Sequence, residues 1–243
     1  MRIPRVYIGA ELVVGEEVLL DKSQSHYLKH VLRLKPGAAL LLFNGLEAID
    51  YSATLQIEGK QVRATINSAL ALQTESGLDC EIIQAMGRND HMDWVIQKTT
   101  ELGVNRIAIF NAERTQSPMK STQLEKKLLH WRGVAISACE QSGRAVIPAL
   151  DFHPDLEQAI AASSSESGLL LDFNGAALTS ALQPLPQSIS ILLGPEGGLT
   201  RPEIQLAKTA NFISVRLGPR VLRTETAATA ALAIVQSAVG DLG

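Results

Sequence analysis

Two short apolar runs that each stop at a Gly-Pro pair constrain this chain more than any other feature. Ile191-Leu192-Leu193 runs into Gly194-Pro195, and residues 212–217 run into Gly218-Pro219. An apolar run cut off in this way reads as a buried strand that ends in a tight loop. Between the two loops, Thr200 stands where a helix N-cap belongs. Glu203 follows three residues later, which completes a capping box for a short helix. After the second loop, Arg223-Thr224-Glu225-Thr226 precedes an Ala-rich helical stretch. Residues 191–231 therefore read strand, loop, helix, strand, loop, helix. In open α/β sheets ligands bind at the carboxyl ends of strands, and two such loops can line one pocket. Glycine there lets backbone groups approach a ligand.

The rest of the chain divides into two patterned regions. Up to about residue 70 the pattern is β, with alternation at 17–20, 38–43, 51–57 and 61–66. Gly15, Pro36-Gly37, Asn44-Gly45 and Gly59 fall between these segments as turns. Residues 23–34 interrupt it as one helix, with Tyr27, Val31 and Leu34 on a common face. Short strands with regular turns suggest a small barrel. Polar residues 71–79 read as a linker. Beyond it strands alternate with helices: a strand at 80–85 and a helix at 92–102 that turns Trp94, Val95 and Leu102 inward and stops at Gly103. A strand at 106–110, a long helix at 121–142 and a strand at 169–171 follow. That alternation predicts a parallel sheet covered on both faces.

Composition excludes several classes. At 46% hydrophobic and 19% charged residues, 243 residues can bury a sizeable core and do not read as disordered. Cys80 and Cys139 are far apart, and no Cys/His cluster has metal-ligand spacing. A reducing cytoplasm and no metal are therefore expected. No apolar run has the length of a membrane span, and the N-terminus lacks a signal-peptide core. A net charge of −3 means that any nucleic-acid contact must use local patches. Arg2, Arg5, Lys29, His30, Arg33 and Lys35 form one such patch in the first region. A solvated face is the alternative reading.

GPEGG at 194–198 followed by LGPRVLRTETA at 217–227 resembles the ribosomal RNA uracil-N3 methyltransferase family (RsmE) of the SPOUT class. HYLKHVLRLKPG at 26–37, MDWVIQKTTELGV at 92–104 and ACEQSGR at 138–144 match in the same order. The resemblance implies an α/β fold with two domains: a PUA-like RNA-binding β-barrel over 1–72 and a SPOUT domain over 73–243 whose C-terminal part forms a trefoil knot. It implies S-adenosyl-L-methionine as cofactor and methylation of N3 of a uridine in 16S ribosomal RNA. The partner would be small-subunit RNA or the 30S subunit, in the cytoplasm and away from membranes. A methyltransferase acting on tRNA or a ribose 2'-OH, or a non-catalytic assembly factor, stays open.

Methyl transfer needs a held cofactor, an aimed nucleophile and a proton acceptor. The expected cofactor-binding residues are Leu171, Leu193, Gly194, Pro195, Glu196, Gly197, Leu217, Gly218, Val221 and Leu222. Arg223, Glu225 and Glu196 are the catalytic candidates. Arginine stabilises developing negative charge, and either carboxylate could serve as base or merely cap a helix. Arg5, Lys29, Arg33, Lys35, Arg88, Arg114 and Arg144 are expected on RNA, whereas His91 alone reads as a turn residue. The stretch 226–239 is almost wholly small or apolar, so it must be covered nearly all round, and a homodimer is expected. Arg144 is the candidate to reach the partner's site.

Overall fold

The computed structural model describes residues 3–59, 61–184 and 186–243, so Arg2 lies outside the described residues. The chain forms two compact units. Met1–Glu75 with Cys139–Ile147 make the first, and Ser76–Ala138 with Pro148–Gly243 the second. The return of Cys139–Ile147 to the first unit has no signal in the sequence, because those residues continue a helix that starts in the second.

The first unit is one mixed sheet. Its strands are β1 (Arg5–Tyr7), β2 (Glu17–Leu19), β3 (Ala39–Phe43), β4 (Ile49–Glu58) and β5 (Gln61–Ala71), in the order β1-β3-β4-β5-β2. β1 runs parallel to β3 and the other pairs are antiparallel. Among the described residues the ladder ends at β1 and β2 rather than closing into a ring. Alternate side chains from β1, β3, β4 and β5 still meet in one core: Val6, Leu40, Leu42, Ala53, Leu55, Val62, Ala64 and Ile66.

The helix in this unit differs from expectation. α1 (Lys22–His26) runs into a π-helical turn at Tyr27–Val31. Leu32 N–H donates to Tyr27 and Leu34 N–H to Leu28. The wider turn rotates the face, so Leu28 is fully buried while Tyr27 and Val31 stand in solvent. A strict 3.6-residue period cannot foresee this.

The second unit holds β6 (Asp79–Ala85), β7 (Arg106–Phe110), β8 (Ala149–His153), β9 (Ser167–Ala177), β10 (Ser188–Leu193) and β11 (Phe212–Arg216). They form one sheet in the order β11-β9-β10-β6-β7-β8, parallel throughout. Ile83, Ala85, Ala108, Phe110, Leu170 and Leu192 face a core closed by α4 (Leu156–Ala162) and α5 (Arg201–Thr209). Their alternates Ile82, Ile107, Ile109, Leu169 and Ile191 are buried too. Burial on both faces explains why these strands read as continuous apolar runs.

α2 (Asn89–Glu101) and α6 (Thr224–Val239) pack on each other, and α6 also packs on β10. α2 buries Met92, Val95 and Ile96, whereas Trp94, expected inward, is half exposed under Lys98. α3 occupies Ser121–Ser142, the expected span, with Trp131, Ala135 and Ala138 buried. α5 starts as expected: the Thr200 side chain accepts from Glu203 N–H, and the Glu203 carboxylate accepts from Thr200 N–H at 2.7 Å.

Candidate active site

A cavity of about 590 Å3 opens at the carboxyl ends of β10 and β11, beside the middle of β9. That volume suits a nucleoside-sized ligand. Three chain segments wall it. Residues 194–199 follow β10, residues 217–222 follow β11, and the third wall interrupts β9 itself. Leu170 pairs with Ser214, but the next residue of β11, Val215, pairs with Ala176. Residues 171–175 are thereby pushed out of the ladder, and Leu171, Asp172 and Phe173 line the cavity. A Cβ on Gly175 would lie 2.4 Å from Val215 N, so only glycine lets the excursion rejoin the sheet.

The structure brings most of the expected residues together here. Leu171, Leu193, Gly194, Pro195, Glu196, Leu217, Gly218, Val221, Leu222, Arg223 and Glu225 all line the cavity, and Leu199, Ile204 and Val215 add apolar wall. Gly197 is not among the lining residues: its carbonyl accepts from Arg114 Nη1 at 3.2 Å. The two Gly-Pro loops use glycine differently. Gly218 sits at φ +91° with open space where a Cβ would be, whereas a Cβ on Gly194 would press on the Leu199 backbone at 3.0 Å. Gly218 thus leaves room inside the cavity, and Gly194 makes room for its own loop.

Glu225 stands in the first turn of α6, where the helix dipole favours a carboxylate. Its Oε2 is buried and has no hydrogen-bond partner. His91, in the first turn of α2, reaches the same cavity. Its Nδ1 lies 3.0 Å from Glu196 Oε1 and 3.7 Å from Glu225 Oε2. Since an ionised carboxylate only accepts, Nδ1 must carry the proton of the Glu196 contact. Burial pushes the Glu196 carboxyl upward, but its own backbone N–H, His91 and Arg88 N–H act against this. Together they hold it below its ordinary value. His91 is therefore not a mere turn residue. Its partners lie more than a hundred residues away, so nothing local could have flagged it.

The expected RNA-contacting residues scatter. Arg88, Arg33 and Lys35 are exposed. Lys29 Nζ donates to Gly59 O at 3.3 Å. Arg114 is exposed but donates to Gly197 and Leu199 carbonyls, steadying the first loop. Two expectations fail. Arg5 is buried in the first unit, where its guanidinium grips Asp50 at 3.0 and 2.6 Å and donates to the carbonyls of Cys139 and Arg144. Arg144 is buried as well, with Nη2 on Glu75 Oε2 at 2.7 Å. A guanidinium fixed inside its own chain can meet neither a phosphate nor a partner's site.

Comparison with known proteins places this geometry. Residues 74–236 match the RNA methyltransferase domain family and residues 20–66 the RNA methyltransferase PUA domain. The chain is 36% identical, over 99% of its own length and 98% of the relative's, to ribosomal RNA small subunit methyltransferase E of Buchnera aphidicola from Schizaphis graminum. The chain belongs to the ribosomal RNA small subunit methyltransferase E family. The member from Bacillus subtilis is 31% identical over 92% of this chain and 88% of that one. The crystal structure of the family member from Neisseria gonorrhoeae, bound to S-adenosyl methionine, superposes with a TM-score of 0.90. It is 35% identical, with all of both chains covered. Among the described residues, no helix is long and apolar enough to cross a membrane.

Proposed function

We propose that this family member transfers the methyl group of S-adenosylmethionine to N3 of a uridine in small-subunit ribosomal RNA. The observation that carries the reading is the carboxylate of Glu225 and the guanidinium-bearing Arg223 side by side in the lining of a cavity walled by two strand-end loops and the excursion within β9. The residues fit the cofactor. Leu171, Leu193, Leu217 and Leu222 offer apolar surface to an adenosine, the gap beside Gly218 admits it closely, and Glu196 and Glu225 favour a cation. When bound, S-adenosylmethionine supplies an electrophilic methyl group on a positively charged sulfur.

The chain's own groups do the rest. Uracil N3 carries a proton that must leave as the new N–C bond forms, and the Glu225 carboxylate, which lines the cavity, accepts it. His91, gripped by Glu196, stands between the two carboxylates and turns an N–H edge toward them. Arg223, exposed at the start of α6, neutralises charge on a uracil carbonyl or a neighbouring phosphate. In the first unit, Lys29, Arg33 and Lys35 hold RNA phosphates.

A trefoil knot belongs to the same reading. It is supported by the chain's course from the edge strand β11 back to α6, which packs inward on β10 and α2. A homodimer is supported by α6, whose Ala227, Ala230, Ala233 and Ile234 are only partly covered. A cytoplasmic location follows from ribosomal RNA as substrate. The test is mass spectrometry of ribosomal RNA from a deletion strain, before and after incubation of its 30S subunits with purified protein and cofactor. A methyl gain on a uridine of the 16S RNA is expected. A gain on tRNA alone, or on a ribose, would overturn the reading.

A further inference from the structure

We propose that a second cleft in the second unit is a sequence-tolerant groove for the phosphates of RNA that flanks the methylated base. This rests on the reading of the chain as an RNA methyltransferase. The cleft, of about 810 Å3, lies between the segment that leads into α2 and the outer face of α3. Its basic side chains are Arg88, Lys126, Lys127 and His130. The last three, with Gln123, occupy positions i+3, i+4 and i+7 of α3, one helical face.

Charge separates this cleft from an ordinary solvated helix face. Asp90 is the one acid among the lining residues, and it is taken up by Arg88 at 3.4 Å. His130 is held by Asp93 at 2.9 Å. Among the described residues neither Lys126 nor Lys127 pairs with a carboxylate. Lys127 also lies over the Trp131 ring, 5.8 Å from its centre, and burial lowers its pKa. An ammonium that has lost water and gained no counter-ion favours an anion.

Position names the anion. Gly87, Arg88, Asn89 and Asp90 line the cleft, while the next residue, His91, lines the active-site cavity. The Arg88 backbone N–H points at Glu196 Oε1, 3.5 Å away. Only the first turn of α2 separates the two, so a strand with one base in the cavity would lay its neighbours along the cleft. Trp131 is buried and offers no stacking face, so the groove reads charge rather than bases.

The test compares the full-length parent with Lys126→Gln/Lys127→Gln, and with Lys208→Gln as a charge control that lines neither cavity. Binding of a 16S RNA fragment is followed against salt, alongside cofactor calorimetry and turnover on 30S subunits. The double variant should keep cofactor affinity and kcat. Its RNA affinity should fall about tenfold or more, and the slope of log K against log salt should drop by about 1.5, for two lost contacts. Lys126→Glu, at an exposed position, should weaken RNA binding without altering the melting temperature. A parent that methylates, with KM and salt slope unchanged in both variants, overturns the groove alone. A parent that loses RNA affinity on these substitutions but never methylates overturns the enzyme reading and keeps the groove.

Discussion

His91 Nδ1 lies 3.0 Å from Glu196 Oε1 although 105 residues separate them in the chain, and Glu225 closes on the same nitrogen from a third segment. One imidazole thereby stands between two carboxylates that would otherwise face each other. Removing it in His91→Ala leaves like charges opposed, which favours protonation of one of them. The acid limb of the kcat/KM profile should move to higher pH, with kcat down about a hundredfold at neutral pH. An unmoved limb would return His91 to a structural role.

Glu225→Gln preserves shape and removes the proposed proton acceptor. Turnover should drop by about 10²–10⁴-fold, the usual worth of a general base. Cofactor affinity measured by calorimetry should change far less. Equal losses in both would assign Glu225 to cofactor binding.

Gly218→Val and Gly194→Val should fail for different reasons. At Gly218, which lines the cavity, the side chain takes up open space beside the ligand, and a left-handed backbone adds about 1–2 kcal/mol of strain. Cofactor binding is then lost with the fold retained. At Gly194 the side chain strikes the Leu199 backbone, so the melting temperature should fall too. Gly218→Ala should bind cofactor better than Gly218→Val, and equal binding would place the ligand elsewhere.

Much of this architecture is legible in the sequence, because each legible part is settled by its neighbours. The apolar runs before Gly194 and Gly218, the Thr200–Glu203 capping box and the limits of α3 are of that kind. What is hidden depends on distant partners. Arg5 and Lys35 are equivalent as letters until the fold puts Asp50 beside one of them and water beside the other. Residues 171–175 read as the sequel to a strand, and only β11, pairing on either side of them, shows that they leave it. Leu28 is buried where Tyr27 was expected because one wide turn shifts the face.

Arg5→Ala should unfold the protein rather than free it from RNA. It strands the Asp50 carboxylate in the interior, a loss of about 3–5 kcal/mol. Thermal melts check this. A variant with parental stability and weakened RNA binding would restore Arg5 to the RNA surface.

Glu140→Gln tests linkage in the same unit. Burial raises the Glu140 carboxyl above its ordinary value, against the Tyr7 N–H and Arg5, which lower it. With its folded pKa above its unfolded one, the charge opposes folding above the folded pKa and costs nothing once both states are protonated. The glutamine should therefore raise the melting temperature at pH 7–8 and give no gain below about pH 4. A gain that persists in acid would mean that packing, not charge, is responsible.

The two jaws of the active-site cavity are anchored unequally. Residues 194–200 are tied by Arg114, by Arg88 N–H on Glu196, and by Glu203, whose Oε1 also accepts from Glu113 N–H at 3.0 Å. Among the described residues, residues 217–222 make no such ties, and Val221 is 87% exposed. The residence time of the cofactor should answer to substitutions at Gly218 and Val221 and stay indifferent to those at Arg114.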